Sequence, residues 1–308
     1  MKAAIRFTGQ SLLNLAITLL GVVTLVFFLL RLSGDPIALL VGPGATGEDI
    51  AQLRHAYGFD QPLWVQYLDY LRHAATGDLG TSVVYHQAAL QVVLEKVPAT
   101  LELTGAALLI AIPLAVPAGI LAAVWRGGWA DRALLLFTLL GQSFPYFFLG
   151  IILILVFSVQ LGWLPTSGND TPIHVILPAI TLALYSIART MRLMRTSLIT
   201  TLGADYVRTA TAKGLRRRLV VIRHATLNAL IPVVTAIGLD VGNLLGGAVV
   251  TETVFGWPGV GRLVVQAVSQ RDYPVVQAGV VYVALIFFAI NTGLELVYRL
   301  LDPRLRTA

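Results

Sequence analysis

Long apolar stretches alternate with shorter polar segments along the chain. The first, residues 11–30, carries no charge, and twenty residues of α-helix rise about 30 Å, enough to cross the hydrocarbon core of a bilayer. Further apolar runs cover about 99–124, 133–160, 228–251 and 275–300, and one more begins near Ile173. This pattern predicts an all-α integral membrane protein with six transmembrane helices.

The polar segments divide the chain into four predicted parts. A cleaved signal peptide would have a shorter apolar core and would end at a small-residue cleavage site, so we expect residues 11–30 to be a retained anchor. The predicted parts are an anchor span at 1–32, an external helical segment at 33–97, a five-span core at 98–300 with a cytoplasmic loop at 197–226, and a cytoplasmic tail at 301–308.

Residues 33–97 predict a small helical subdomain on the outer side of the membrane. Thr46 and Asp49 have the spacing of a capping box, and Gly58 suits the end of the helix that follows. Pro62 suits the start of a second helix, which runs into a glycine-containing stretch. We expect the aromatic residues here to serve packing and interface anchoring rather than ligand binding.

Basic residues are unevenly distributed between the two sides of this topology. Loops on the side of the N-terminus hold 16 of them, Arg31 lies at a border, and the other side holds Arg54, Arg72, Lys96, Arg262 and Arg271. Because basic residues favour the cytoplasmic side, we expect both termini in the cytoplasm. The net charge of +6 follows these borders, so it does not indicate nucleic-acid binding.

The composition excludes several classes of function. The chain is 56% hydrophobic and only 12% charged, unlike a soluble globular protein. It has no cysteine, and therefore no disulfide or thiolate metal site. It lacks a phosphate-binding G-x-x-x-x-G-K-[ST], a zinc-binding H-E-x-x-H and a G-x-S-x-G nucleophile elbow, and its five histidines are scattered. We therefore predict no catalytic residue, no metal site and no nucleotide site in this chain.

Polar residues inside two apolar runs are candidates for lining a path through the membrane. Asp240 is a mid-span acid, and Asn243 lies one turn later on a compatible face. Gln142 and Ser143 precede Pro145, where a helix break would face protein or water rather than lipid. Path lining and a purely structural role both remain open for these residues. Three further acids lie near span ends and are expected to reach the interface: Glu102, Glu252 and Glu295.

The fifth apolar run carries a stripe of small residues, Gly238, Gly242 and Gly246. Glycines at i, i+4 and i+8 allow close approach of helices in lipid, where packing rather than hydrophobicity drives association. The partner helix belongs either to the same chain or to a second membrane subunit, and the pattern does not distinguish the two.

The polar segment between the fourth and fifth runs has the features of a docking site. Residues 204–213 predict a short helix that ends at Gly214, with Val207 and Ala210 on one side and Arg208 among the polar residues on the other. Such a small-residue helix suits a shallow cleft on another protein. The three consecutive arginines that follow it are suited to anionic lipid head groups.

Several motifs resemble those of one family. D-Y-V-R-T-A-T-A-K-G-L at 205–215, with R-H-A-T-L-N-A-L-I-P-V at 223–233, is very similar to the coupling loop of ABC-transporter permeases of the dipeptide, oligopeptide and nickel group. The wider family often has Glu-Ala-Ala before the glycine, where this chain has Arg208-Thr209-Ala210. Further similar motifs follow the same order: S-G-D-P at 33–36, G-F-D-Q-P at 58–62, Q-Y-L at 66–68, G-D-L-G-T-S at 77–82, T-E-T-V-F-G-W-P-G-V-G-R-L at 251–263, R-D-Y-P at 271–274 and L-D-P-R at 301–304.

The resemblance implies a permease subunit of an ATP-driven importer of di- or oligopeptides, located in a bacterial inner membrane and with the type I ABC importer fold. Its implied partners are a second, similar permease chain, two cytoplasmic ATPases that bind ATP and magnesium, an external binding protein and membrane lipids. Related permeases carry nickel chelates, glutathione or opines. The implied ATPase contacts are Ala204, Asp205, Tyr206, Val207, Arg208, Thr209, Ala210, Lys213, Gly214 and Leu215. The implied outer gate or binding-protein contact is formed by Glu252, Phe255, Trp257, Pro258, Gly259 and Gly261.

Two other classes of protein fit parts of the pattern. An ATP-independent secondary transporter or channel would also have a polar residue at mid-span, and it would import its substrate without ATP. A membrane-anchored scaffold would also present a docking loop, and it would show no substrate-dependent phenotype when Gly214 is replaced by a bulky residue.

Overall fold

A computed structural model describes residues 2–32, 46–56 and 58–301. The motif at 33–36 and most of the motif at 301–304 lie outside the described residues, as do the tail and the side chains of Asp49 and Glu295. The helices are α1 (Lys2–Leu32), α2 (Gly47–Ala56), α3 (Leu63–Ala75), α4 (Ala89–Val124), α5 (Trp129–Ser143), α6 (Tyr146–Leu153), α7 (Ile176–Leu202), α8 (Asp205–Ala212), α9 (Leu227–Val254), α10 (Val260–Ser269) and α11 (Tyr273–Leu301).

Short segments of other helical geometry extend or connect these helices. Wider π-helical turns continue α6 through Ile154–Gln160 and precede α9 at Val220–Thr226. A 3₁₀ turn at Pro172–Val175 leads into α7, and Arg217–Leu219 form a single helical turn.

By length and composition, five helical segments are able to cross a membrane, and a sixth crossing is formed if α5 and extended α6 act as one bent span. The five are Leu13–Leu32, Ala89–Val124, Pro172–Leu202, Arg217–Val254 and Tyr273–Leu294. They correspond to five of the six apolar runs, and the bent pair corresponds to the run at 133–160. The predicted all-α membrane fold is confirmed.

The apolar run at 133–160 is broken at the position that the sequence indicates. The axes of α5 and extended α6 differ by 107°. Phe144 is extended, with φ −93° and ψ 131°, a conformation that is favoured because proline disfavours the helical region for the residue before it. Pro145 then precedes the first turn of α6 with φ −60°, the position at which its missing N–H is not needed. Other prolines behave differently, since Pro232 lies inside α9.

The described chain forms two compact units. The first contains residues 1–100 and 258–292, and the second contains residues 101–257 and 293–308. The core of the first unit joins buried residues of α1, α4, α10 and α11, among them Val93, Val260 and Val275.

Helix α3 of the first unit packs against α1 through aromatic side chains. The ring of Phe27 stacks on Tyr70 at a centroid distance of 5.6 Å, and the hydroxyls of Thr24 and Tyr67 lie 2.6 Å apart. Burial raises the pKa of Tyr70 well above its ordinary value. The aromatic residues of this segment therefore serve packing, as expected, while Trp64 remains 67% exposed.

A buried carboxylate joins two distant loops of the first unit. Asp272 is completely buried, and it accepts hydrogen bonds from Ser82 Oγ at 2.5 Å and from the backbone N–H groups of Val83 at 3.3 Å and Val84 at 3.2 Å. The same carboxylate caps the first turn of α11 through the N–H of Val275. The G-D-L-G-T-S and R-D-Y-P motifs thus meet in one contact.

The second unit is organised around α7. Of the candidate spans in the described chain, the segment containing α7 has the largest buried share, 56%. Glycines allow the close approach: a Cβ at Gly119 would lie 2.7 Å from the backbone oxygen of Met191, and one at Gly141 would lie 3.2 Å from Cβ of Ala188. Small residues at such contacts are typical of helix packing in membranes.

Candidate functional site

The predicted docking helix is present as α8, in the second unit. Ala204 precedes it in an extended conformation, Asp205 occupies its first turn, and its last residue is Ala212. A carboxylate in the first turn is favourable because it faces the positive end of the helix dipole. Gly214 follows with φ +76°, a left-handed conformation that favours glycine. The helix and its glycine end therefore agree with the sequence prediction.

One side of α8 is buried in the second unit. Val207 is 4% exposed and Ala210 is 7% exposed, and both join an apolar cluster with Met194, Leu198 and Ala225. The opposite side is open, and Arg208 forms only an exposed contact with Asp205 at 3.6 Å.

Polar contacts connect the loop to the two spans that flank it. The Nδ2 of Asn228 donates to the hydroxyl of Tyr206 at 3.0 Å, and Ser197 Oγ donates to the backbone oxygen of Ala229 at 2.8 Å. Both contacts reach the beginning of α9, and the second also holds the end of α7. The first contact thus joins α8 to α9, and the second joins α7 to α9.

A second group of polar residues lies between α7 and its neighbours inside the same unit. Arg189 contacts Asp240 of α9, and Asp240 also accepts hydrogen bonds from Ser186 at 3.3 Å and Asn243 at 3.4 Å. Arg192 donates to the side-chain oxygen of Gln142 at the end of α5. We call these residues, with Ser143 and Arg195, the polar cluster of α7.

The third arginine of α7 binds the beginning of α5. Arg195 forms a two-pronged contact with Asp131, from Nε at 2.6 Å and from Nη2 at 2.7 Å. The backbone N–H of Gly127 donates to the same carboxylate at 2.9 Å. Asp131 is 2% exposed, so this pair is largely removed from solvent.

The predicted path residues differ in their surroundings. Asp240 is buried, Gln142 is half-buried, and Ser143 and Asn243 are exposed. Gln142 and Asp240 each contact an arginine, while Ser143 donates to the backbone oxygen of Leu139. Both a structural role and a path-lining role are compatible with this arrangement.

Arg189, Arg192 and Arg195 are among the 16 basic residues that the sequence places on the cytoplasmic side, and their contacts with other helices were not predicted. Their spacing, i, i+3 and i+6, places them on one broad side of a helix. Acidic or amide residues lie in the neighbouring apolar runs. These two signals together indicate interhelical pairing, since charged groups in spans seek protein partners or water.

The glycine stripe of α9 is divided between two environments. A Cβ at Gly238 would overlap the side chain of Leu294 of α11, whereas a Cβ at Gly246 would meet nothing within 4 Å. Packing within the chain therefore explains Gly238, and the surface at Gly246 is open.

The residues predicted for an outer gate are mostly packed. Phe255 is 1% exposed and Trp257 is 2% exposed, Gly259 and Gly261 are buried, and Pro258 is half-buried. Their predicted role stays a prediction.

The expectation that Glu252 reaches the membrane interface is wrong, because its side chain is 0% exposed. Glu252 also accepts through its backbone oxygen from the N–H of Trp257 at 2.9 Å. It lies within the packed end of α9, two residues before the helix ends at Val254.

Within the described residues, no three His, Asp or Glu side chains come together in a way that would hold a metal ion. The candidate site consists of the predicted docking helix α8 and the polar cluster of α7.

Comparison with known proteins gives consistent results along the whole chain. Residues 115–307 match the family described as binding-protein-dependent transport system inner membrane component, and residues 4–104 match the N-terminal region of such components. The glutathione transport system permease protein GsiC of Escherichia coli (strain K12) is 44% identical over 303 residues, 98% of this chain and 99% of that protein. GsiC of Salmonella typhimurium (strain LT2) gives the same values.

A solved structure described as an amino acid ABC transporter with histidines shows a weaker likeness. It has a TM-score of 0.48 and 17% sequence identity, and the match covers 70% of this chain and 94% of the other.

Proposed function

We propose that the chain imports short peptides or the tripeptide glutathione, because it belongs to the family of binding-protein-dependent transport system inner membrane components. The chain is a permease subunit of an ABC importer, and such systems work with a substrate-binding protein and ATPase subunits. The observation that carries the proposal is the 44% identity to glutathione permeases over 98% of the chain. It favours a peptide-like cargo over nickel chelates and opines.

We further propose that α8 receives force from the ATPases. ATP and magnesium bind to those subunits, and closure of the ATPases displaces α8. This helix has one open face and short connections to α7 and α9. Such a displacement shifts the population between inward-open and outward-open states. The buried contacts of Val207 and Ala210 support this role, because they make α8 rigid relative to both spans.

A second, similar permease chain completes the path in this proposal. The open surface at Gly246 supports it, since glycines on lipid-facing helices provide for close helix contacts. The arginines at 216–218, which are exposed, are proposed to contact anionic head groups at the cytoplasmic side.

Reconstituted transport tests the cargo. The complete importer in proteoliposomes is expected to take up glutathione or trialanine only with the binding protein and ATP. Replacing the catalytic glutamate of the ATPases should abolish uptake. Uptake by this chain alone without ATP would instead show a secondary transporter.

A matched pair of glycine substitutions tests the coupling role. Gly214 and Gly162 have φ of +76° and +64°, and a Cβ at either meets nothing within 4 Å. Alanine at each therefore introduces a similar local strain of about 1–2 kcal/mol. Gly214→Ala is expected to lower ATP-driven uptake several-fold and to weaken co-purification of the ATPases. Gly162→Ala should do neither, and equal losses in both variants would contradict the proposal.

A further inference from the structure

The three arginines of α7 differ in how their charges are compensated. Arg189 contacts the carboxylate of Asp240, and Arg195 contacts that of Asp131. The contact of Arg192 is the neutral side-chain oxygen of Gln142, and within the described part of the chain no carboxylate forms an ion pair with it. The cluster therefore carries one uncompensated positive charge at Arg192.

Arg192 lies within a candidate membrane span. It belongs to the candidate span Pro172–Leu202, and ten residues separate it from the end of α7, which corresponds to about 15 Å along the helix. A charged side chain at such depth faces protein or a water-filled cavity rather than lipid. Arg192 is exposed on this chain, so its guanidinium is accessible to a solute or to a neighbouring subunit.

The groups connected to Arg192 are polar and partly open. Gln142 is followed by the exposed Ser143, and Arg189, one turn before Arg192, leads through Asp240 to the exposed Asn243. The charges of Arg189 and Asp240 cancel, and the other groups are neutral. A solute at this surface would meet a single cation surrounded by hydrogen-bonding groups.

The guanidinium of Arg192 is suited to binding a carboxylate. This group carries five N–H donors in a planar fork, and the oxygen of Gln142 holds part of this fork. The remaining donors are free to form two parallel hydrogen bonds with a carboxylate, the geometry in which arginine binds most strongly.

We propose that Arg192 binds a carboxylate of the substrate during its passage and that Gln142 positions the guanidinium for this contact. The assignment rests on the proposed function, since glutathione and unmodified peptides carry free carboxylates. It identifies the substrate class as anionic or carboxylate-bearing, and Arg192 as a specificity-determining residue in the path.

The complete importer in proteoliposomes, with ATP and the binding protein, provides the test. Arg192→Gln is expected to lower the initial uptake of glutathione and of trialanine at least tenfold. Arg192→Lys should recover part of the loss, because it retains the charge without the fork. Arg132→Gln serves as the control, since it removes the same charge from an exposed position on α5, and it should leave uptake within twofold of wild type.

Gln142→Glu separates substrate binding from a structural role. The new carboxylate would pair with Arg192 and compete with the substrate for its donors. Uptake is expected to fall about tenfold, while the thermal stability of the purified importer stays the same or rises. A purely structural contact would be strengthened by this change and would leave uptake intact.

The outcomes distinguish this assignment from the cargo proposal. A wild-type importer that takes up neither probe would overturn the cargo proposal and this assignment with it. An active wild type, with Arg192→Gln and Gln142→Glu both within twofold of it, would overturn the assignment alone. Loss of the second permease chain from purified Arg192→Gln would show that Arg192 holds the subunits together, which also overturns it.

Discussion

Two buried carboxylates, one in each unit of the molecule, are held in opposite ways. Asp272 is 0% exposed and Asp240 is 1% exposed. Asp272 accepts from a serine hydroxyl and from backbone N–H groups. Asp240 instead lies against the guanidinium of Arg189, with weaker contacts from Ser186 and Asn243.

The difference shows that equal burial does not imply an equal role. Backbone donors are fixed by the loops that carry them, so Asp272 can only lock the two loops of the first unit together. Arg189 is a long, flexible side chain that is 37% exposed, so its contact with Asp240 is able to break and reform with other groups. Fixed hydrogen bonds such as those of Asp272 suit a region that keeps its conformation, and an exchangeable ion pair suits a region that changes conformation.

The largest effect is expected from Asp240→Ala. The change leaves the Arg189 cation without its carboxylate inside the unit, and breaking a buried pair in this way costs about 3 kcal/mol of unfolding free energy. The double variant Arg189→Met, Asp240→Leu is expected to return to within about 1 kcal/mol of wild type, because it removes both charges. Thermal unfolding of the purified protein in detergent measures both. A double variant as unstable as the single one would show that the ion pair is not the cause.

A smaller loss is expected from Asp272→Ala, about 2 kcal/mol, because it leaves buried donors without an acceptor. Ser82→Ala alone should cost about 1 kcal/mol. In contrast to the pair in the second unit, removing both partners gives no recovery here, since the backbone donors of Val83 and Val84 remain. The same unfolding measurement applies, and full recovery in the double variant would contradict the proposed lock.

Arg195→Lys should have an effect of about 1 kcal/mol, because lysine cannot reproduce both hydrogen bonds to Asp131. Arg132→Lys, at an exposed position on the same helix as Asp131, is the control and should leave stability unchanged. Thermal unfolding distinguishes them. Equal stability of Arg195→Lys and wild type would show that charge alone, without the fork, is sufficient at this buried carboxylate.

The smallest effect concerns a carboxylate that stays in water. In the external segment, His55 Nδ1 and Asp60 Oδ2 lie 2.7 Å apart. This hydrogen bond raises the pKa of His55 and lowers that of Asp60, and charge attraction contributes less. Because the pKa of His55 is raised, its contribution to stability is present below about pH 6.5 and is lost as pH rises through the folded-state pKa. Because the pKa of Asp60 is lowered, its contribution to stability is present above about pH 4 and is lost as pH falls through the folded-state pKa.

The contact is therefore strongest between these two limits. An NMR titration of His55 should show a lower pKa in Asp60→Asn than in wild type, with no measurable change in thermal stability because both side chains are exposed to solvent. An unchanged His55 pKa in that variant would show that the two side chains do not interact in solution.

Local features of the fold were predictable from the sequence because they depend on neighbouring residues. Apolar length predicted the spans, Pro145 predicted the break before α6, and Gly214 predicted the end of α8. Pro145 and Gly214 restrict the backbone at their own positions, and the length of an apolar run is read directly from the sequence. None of these predictions needs knowledge of distant contacts.

Long-range polar contacts were not predictable in the same way. The motifs at 77–82 and 271–274 were recognised, but nothing in their spacing indicates that Ser82 binds Asp272, 190 residues away. The pairing of α7 arginines depends likewise on which helices pack together. The burial of Glu252 was missed because its position near a span end indicates an interface, whereas packing around α9 determines its exposure.

The bend between α5 and α6 also affects whether the number of membrane crossings before α8 is odd or even. α5 has 15 residues, as does Tyr146–Gln160, so each arm is about 22 Å long and too short for a hydrocarbon core of about 30 Å. If the two arms together cross once, α8 and the arginines at 216–218 lie on the side of the N-terminus. If the second arm turned back, the crossings before α8 would be odd in number and those arginines would face outward, against the preference of basic loops. The charge pattern therefore favours a single crossing by the bent pair.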